Sequence, residues 1–201
     1  MAAVSETIVR EFFELHGFLI RQHRKYVSPN RSLEEDDDID FFVLNPHPRT
    51  AERALPFLIG SQDLGSIARA IVVVKGWHTE TFSTARLSNT PELFRFVEPK
   101  VFQQAARAFG EDGTLLKLLV LPSLPHDAKA RDESIALLKA KGVDGVIPFR
   151  AMLATLIAET KPNRNYQKSD LLQIIRILKT YDLIKDSQLE LFKQSGKRKK
   201  A

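Results

Sequence analysis

Apolar residues recur along this chain at two spacings, one typical of helices and the other of strands. In residues 4–15 they return every three or four positions, which predicts an amphipathic helix. Two runs rich in β-branched and aromatic residues, 38–43 and 70–76, instead predict buried strands. These strands carry Asp40 and Lys75 toward one end. Because an unpaired charge is costly to bury, we expect the two side chains to meet at a site.

The remaining apolar segments predict strands and helices in alternation. Strands are expected at residues 18–27, 115–121 and 143–148, and helices at residues 90–109, 132–141, 149–159 and 169–181. Residues 47–66 fit neither spacing well, and a short helix around residues 50–58 is the expectation there. Gly17 is a plausible left-handed end to the first helix. The strand–helix–strand–helix order of the second half is typical of a parallel crossover, so the predicted class is α/β, with a mixed central sheet flanked by helices.

Composition limits the size and setting of the protein. The 201 residues, 43% of them apolar and 27% charged, are ordinary for a soluble globular chain. We expect an α/β domain over residues 1–160, a helical extension packed on it over residues 161–192 and a disordered basic tail over residues 193–201. Without cysteine there is no disulfide, thiolate nucleophile or cysteine metal site. No segment approaches the roughly 18 uninterrupted apolar residues of a membrane span, so a cytoplasmic protein without a membrane partner is expected.

The charge is unevenly spread. Residues 101–201 carry 18 Lys and Arg against 11 Asp and Glu, whereas residues 1–100 carry 12 against 14. A basic half can lie against phosphate, and the basic tail could add non-specific affinity for nucleic acid. The helix at residues 169–181 could dock on DNA, but such helices more often pack on their own domain or on a second copy in a homodimer. We expect packing.

The two-residue period of a β-strand indicates which of the candidate catalytic and binding residues share a face. Asp38 and Asp40 share one face of their strand, and Lys75 shares a face of its own strand with Trp77. If these strands are neighbours, Asp40 and Lys75 face one cleft, where a carboxylate can hold Mg²⁺ and a lysine can orient water or stabilise developing charge. The alternative is a structural ion pair, or two strand-end residues in solvent.

The segment after Lys75 has the most unusual local composition, Gly76-Trp77-His78-Thr79-Glu80. His78 and Glu80 lie at the mouth of the expected cleft, where either could bind a metal or contact phosphate. Trp77 could stack on a nucleic-acid base, or it could cover the core. The chain has neither the Lys-Ser/Thr pair of a phosphate-binding loop nor a Gly-x-Ser-x-Gly elbow.

The order of elements over residues 4–125 resembles the core of the PD-(D/E)XK nucleases, which include restriction endonucleases and Holliday junction resolvases. The matching segments are Glu6 in the first helix, residues 17–20 after it, Asp38-Ile39-Asp40, and Val73-Val74-Lys75-Gly76. The resemblance implies a restriction endonuclease-like fold in which Asp40 binds Mg²⁺ or Mn²⁺, Lys75 assists the attacking water and Glu6 completes the catalytic site. It also implies DNA as the substrate, cleaved by metal-activated water.

The chain departs from this family at one position of the site. The family places an acid two residues before the lysine, and here that residue is Val73, which cannot ligate a metal. Some members carry the acid on the following helix, which makes Glu92 or Glu98 a candidate metal ligand; Asp38 is another. Glu92 has a second explanation, because an acid in a first helical turn is favoured by the helix dipole. Residues 47–66 would be an insertion.

Three functions therefore stay open at the level of sequence. The first is a metal-dependent endodeoxyribonuclease, in which Asp40, Lys75 and a relocated acid converge. The second is a catalytically silent nuclease fold that binds nucleic acid or a protein partner, with Val73 closing the metal site. The third is an unrelated α/β interaction domain, in which Asp40 and Lys75 are far apart. Whether the protein is an enzyme depends on which of these holds.

Overall fold

A computed structural model describes residues 2–22, 39–50, 54–110 and 113–184. The helices are α1 (Ala2–Leu15), α2 (Thr84–Ser88), α3 (Pro99–Phe109), α4 (Ala128–Ala140), α5 (Phe149–Glu159) and α6 (Asp170–Thr180). The strands are β1 (Leu19–Gln22), β2 (Phe41–Leu44), β3 (Arg69–Val74), β4 (Leu116–Leu121) and β5 (Gly145–Pro148). Short 3₁₀ helices span Ser61–Ser66 and Pro91–Val97.

The strands form one mixed sheet in the order β1-β2-β3-β4-β5. The pairs β1–β2 and β2–β3 are antiparallel, whereas β3–β4 and β4–β5 are parallel. Helices α2 and α3 lie in the connection from β3 to β4, and α4 lies in that from β4 to β5. The α/β class, the mixed sheet and the parallel crossovers predicted from the sequence are therefore confirmed.

The two faces of the sheet are covered by different helices. Ile71 and Val73 of β3 belong to a buried cluster with residues of α2, α3, α4 and the second 3₁₀ helix, and Phe42 of β2 packs against it. Phe41 and Val43 alternate with Phe42 and so point to the opposite face. Helix α1 packs on β1 and β3 and buries Phe12 and Phe13, among others. Gly17 ends α1 in the left-handed conformation at φ 82°, as predicted.

Several predicted elements differ from the observed ones, each for a local reason. The expected helix at residues 50–58 is wrong over its described part, residues 50 and 54–58, where Pro56 cannot donate in a helix. Leu58 instead bridges Val146 of β5 in parallel. The predicted helix from residue 90 begins as a 3₁₀ helix, and the α-helix starts at Pro99 because a residue before proline avoids helical backbone. Helix α4 starts earlier than predicted, where the Asp127 carboxylate accepts from the Ala130 N–H at 2.9 Å.

The chain divides into two compact units, Met1–Leu153 and Ala154–Ala201, so the division falls within α5, a few residues before the predicted boundary at residue 160. In the second unit α6 is capped by Ser169, whose hydroxyl accepts from the Leu172 N–H at 3.2 Å. Leu172 and Ile175 are buried, whereas Ile174 and Ile177 are exposed. The predicted basic tail, and the part of the predicted first strand beyond Gln22, lie outside the described residues.

Candidate functional site

Several predicted site residues lie at one end of the sheet. Because β2 runs antiparallel to β1 and β3, its start lies beside their ends: Gln22 pairs with Phe41, and Phe41 pairs with Val72. The parallel strands β4 and β5 end on the same side, where Leu121 pairs with Pro148. We call this the site end of the sheet. Asp40 lies at this end just before β2 begins, and Lys75 lies there just after β3 ends.

The carboxylate of Asp40 joins the start of β2 to the end of β3 at the site end. Its Oδ2 atom accepts a hydrogen bond of 2.6 Å from the backbone N–H of Val74, and the N–H of Asp40 donates to the carbonyl of Val72 at 3.1 Å. Asp40 is half-buried. Lys75, which follows Val74 in the chain, is held through its backbone, because its N–H donates to the carbonyl of Val120 in β4 at 3.0 Å. The carboxylate therefore bonds to the residue that directly precedes the lysine.

Val73 occupies the position where the nuclease family carries its second acid. Its side chain is 3% exposed and packs in the cluster that contains Ile71, Leu119 and Phe82. A carboxylate at this position would face apolar neighbours on this side of the sheet. The middle of β3, Ala70-Ile71-Val72-Val73, is thus buried on both faces, and the next ionisable residue along the chain is Lys75.

Glu6 reaches the site end from helix α1. Its Oε2 atom accepts a hydrogen bond of 2.7 Å from the Nε2 atom of Gln22 at the end of β1. Gln22 is the cross-strand partner of Phe41, which follows Asp40 in the chain. Glu6 and Asp40 are therefore linked through one glutamine and the start of β2, and Glu6 is half-buried.

A contact between α1 and the turn after β3 was not predicted. The buried hydroxyl of Ser5 lies 3.1 Å from the Nε2 atom of His78, and the His78 ring meets Phe149 edge-on at 4.6 Å. Gly76 lies so close to Ser5 that a Cβ atom built on it would collide with the Ser5 hydroxyl oxygen. The signal in the sequence was Gly76 at the end of the apolar run 70–76, because a glycine there often marks a close backbone approach.

Trp77 is held by two neighbouring side chains. Its ring stacks on Phe82 with centroids 5.9 Å apart and planes at 7°, and the guanidinium of Arg86 lies 5.2 Å from its centroid. Arg86 in turn lies 3.7 Å from the carboxylate of Glu80. Trp77 is partly buried against the core cluster, so it covers the core, one of the two roles considered for it. Base stacking stays a prediction.

The candidates for a relocated acid lie in other elements. Glu92 is exposed in the first turn of the second 3₁₀ helix, and exposed Glu98 precedes α3. Asp38 lies outside the described residues. Throughout the described ranges, no three Asp, Glu or His side chains lie close enough together to hold one metal ion. The residues described at the site end therefore do not supply three such ligands for Mg²⁺ or Mn²⁺.

Comparison of the chain with family models, curated proteins and solved structures finds no match. Among the described residues, none of the helices is long and apolar enough to cross a membrane.

Proposed function

We propose that this chain is a DNA-binding protein with a restriction endonuclease-like core, and that the site end of its sheet contacts the phosphate backbone. The element order in support is a helix, two antiparallel strand pairs and then parallel crossovers. Within that order, Asp40 stands at the start of the second strand and Lys75 at the end of the third, which are the positions that the resemblance assigns to site residues.

The observation that carries the proposal is the 2.6 Å bond from the Val74 N–H to the Asp40 carboxylate. It brings the acid of one strand to the residue before the lysine of the next, which argues against the interpretation in which Asp40 and Lys75 belong to unrelated parts of the surface. A structural role for this bond is compatible with binding, because it fixes the backbone that presents Lys75.

Two side chains at this end can contact a phosphate. Lys75 is half-buried and His78 is exposed, so both can reach a backbone phosphate at the surface. The two acids are engaged by neighbouring donors, Glu6 by Gln22 and Asp40 by the Val74 N–H. These hydrogen bonds hold both carboxylates in fixed positions, so the phosphate contact proposed here depends on Lys75.

Metal-dependent DNA cleavage is a second candidate, favoured by the presence of Glu6, Asp40 and Lys75 at one end of the sheet. Against it stands Val73, buried where the resemblance requires an acid. Binding without cleavage is therefore the function that the geometry supports best.

Fluorescence anisotropy with labelled duplex, single-stranded and branched DNA tests the binding proposal, with EDTA present so that no divalent metal contributes. We expect wild-type protein to bind and Lys75→Ala to bind more weakly. The matched control is Lys139→Ala, which removes the same charge from the last turn of α4, toward the start of β5 and away from the site end. Equal losses in the two variants, or no binding at all, would contradict the proposal.

The cleavage candidate needs a separate assay. Supercoiled plasmid is incubated with wild-type protein and Mg²⁺ or Mn²⁺, beside Asp40→Asn and Lys75→Ala. Nicking by the wild type that both variants lose would establish a nuclease. Binding without nicking would leave the silent DNA-binding module.

A further inference from the structure

An arginine lies at the site end of the sheet, two residues after β5. Strand β5 ends at Pro148 and α5 begins directly at Phe149, so Arg150 falls in the first turn of that helix. The ring of Phe149 meets His78 edge-on with centroids 4.6 Å apart, which brings the start of α5 against the turn that follows Lys75. Arg150 is exposed. It therefore lies at the surface, on the same end of the sheet as Lys75.

The charge of Arg150 has no counter-charge in the part of the chain that the structure describes. No hydrogen bond or ion pair joins its side chain to another described residue. Helix α5 has no acidic residue in its first turn. Glu6, Asp40 and Glu80, which lie toward the same end, each contact a different residue. The guanidinium is therefore available to an anion from outside the protein.

The position of Arg150 is unfavourable for the protein alone. The N–H groups at the start of a helix carry partial positive charge, which disfavours a cation in the first turn. Lys100 and Lys129 also lie in first turns, but an acid precedes each of those helices at its cap. Helix α5 instead follows Pro148, whose side chain carries no charge. A residue that opposes its local structure without such compensation is expected where function requires it.

We infer that Arg150 contacts a second DNA phosphate, separate from the one that Lys75 contacts. The inference rests on the DNA binding proposed above and adds a contact to the same surface. Strand β4 lies between β3 and β5. Because neighbouring strands are about 4.8 Å apart, the ends of β3 and β5 are separated by about 10 Å. Two cations held at that separation favour two phosphates of one backbone over a single shared phosphate.

The salt dependence of affinity counts these phosphates. Anisotropy of labelled duplex DNA is measured at several salt concentrations, with EDTA present, for the wild type, Lys75→Ala, Arg150→Gln and the double variant. Each neutralised phosphate contributes about 0.9 to the slope of log affinity against log salt concentration. We expect each single variant to lose about 0.9 and the double variant about 1.8. A double variant that loses no more than Lys75→Ala would overturn the inference and leave the proposed function standing.

Arg107→Gln is the matched control. Arg107 is exposed in the last turn of α3, where the helix dipole favours a cation. The carbonyls of Phe109 and Gly110, just after it, accept from the Arg69 side chain at 3.5 and 3.4 Å, so this arginine lies toward the start of β3. We expect Arg107→Gln to leave the slope unchanged and to lower the urea midpoint. Arg150→Gln should lower the slope and raise the midpoint.

The remaining outcomes separate this inference from the proposed function. Equal losses of slope in Arg107→Gln and Arg150→Gln would overturn the inference, because they would report only the overall charge. A urea midpoint that falls in Arg150→Gln would also overturn it, since the arginine would then stabilise the fold. Wild-type protein that binds no duplex would overturn the proposed function and this inference together.

Discussion

Asp40 and Val74 are joined by a hydrogen bond of 2.6 Å from the backbone N–H of Val74 to the carboxylate of Asp40. The bond ties the start of β2 to the end of β3, next to Lys75. One side chain therefore has two separable properties: its oxygen accepts a backbone hydrogen bond, and its charge lies at the surface proposed to meet DNA.

Substitutions at Asp40 separate these properties. Asp40→Ala leaves the half-buried Val74 N–H without this acceptor, and we expect the free energy of unfolding to fall by about 1–3 kcal/mol. Asp40→Asn keeps an acceptor oxygen and should lose clearly less. Urea denaturation measures both variants. Equal losses would show that the charge, rather than the hydrogen bond, stabilises this end of the sheet.

Val73→Glu tests the resemblance to the nuclease core. A glutamate at this buried position lacks a counter-charge, and we expect the free energy of unfolding to fall by about 3 kcal/mol or more. If the position corresponds to the family's acid, the new carboxylate lies near Asp40, and Mg²⁺ should recover much of the loss by binding the folded state. Thermal unfolding with and without Mg²⁺ measures the recovery.

Ile71→Glu is the matched control for this experiment. Ile71 is also buried, on the same face of the same strand and two residues further from the site end. We expect a similar loss of stability without recovery by Mg²⁺. Recovery in neither variant would argue against a nuclease-like arrangement of Asp40 and residue 73.

The sequence predicted the sheet better than the contacts at its end. The strands were recognisable because the runs in β2, β3 and β4 are apolar and bounded by polar or turn residues, and the crossovers followed from the order of elements. The bridge of Leu58 to Val146 was missed because a short segment in a proline-rich stretch has no period of its own. The contact of Ser5 with His78 was missed because it joins residues 73 positions apart in the chain.

The approach of Gly76 to Ser5 should make position 76 intolerant of any side chain. In Gly76→Ala the new methyl would collide with the Ser5 hydroxyl, and we expect a loss of about 1–3 kcal/mol in the free energy of unfolding. Adding Ser5→Ala removes that oxygen, so the double variant should be more stable than the sum of the two single losses predicts.

Gly60→Ala serves as the control for crowding. Its Cβ would meet only the flexible, exposed side chain of Gln62 among the nearest atoms, so a smaller loss is expected. Additive losses at positions 5 and 76 would contradict the account of this contact. Urea titration of each variant provides the values.

The position of the Arg86 guanidinium over the Trp77 ring predicts a cation–π contribution to stability. We expect Arg86→Ala to lower the free energy of unfolding by about 0.5–1 kcal/mol, and Arg86→Lys to retain part of it. Trp77 is the only tryptophan, so its fluorescence reports unfolding in each variant. In the folded protein, strong quenching of this fluorescence by single-stranded DNA would support base stacking on the ring.

The most direct test of the central claim is the salt dependence of DNA affinity. Each phosphate neutralised by a protein cation contributes about 0.9 to the slope of log affinity against log salt concentration for duplex DNA. If the site end contacts the backbone, Lys75→Ala should reduce that slope by about one, while Lys139→Ala leaves it unchanged. The same slope in the wild type and both variants, with equal affinities, would contradict the assignment of this end of the sheet to DNA.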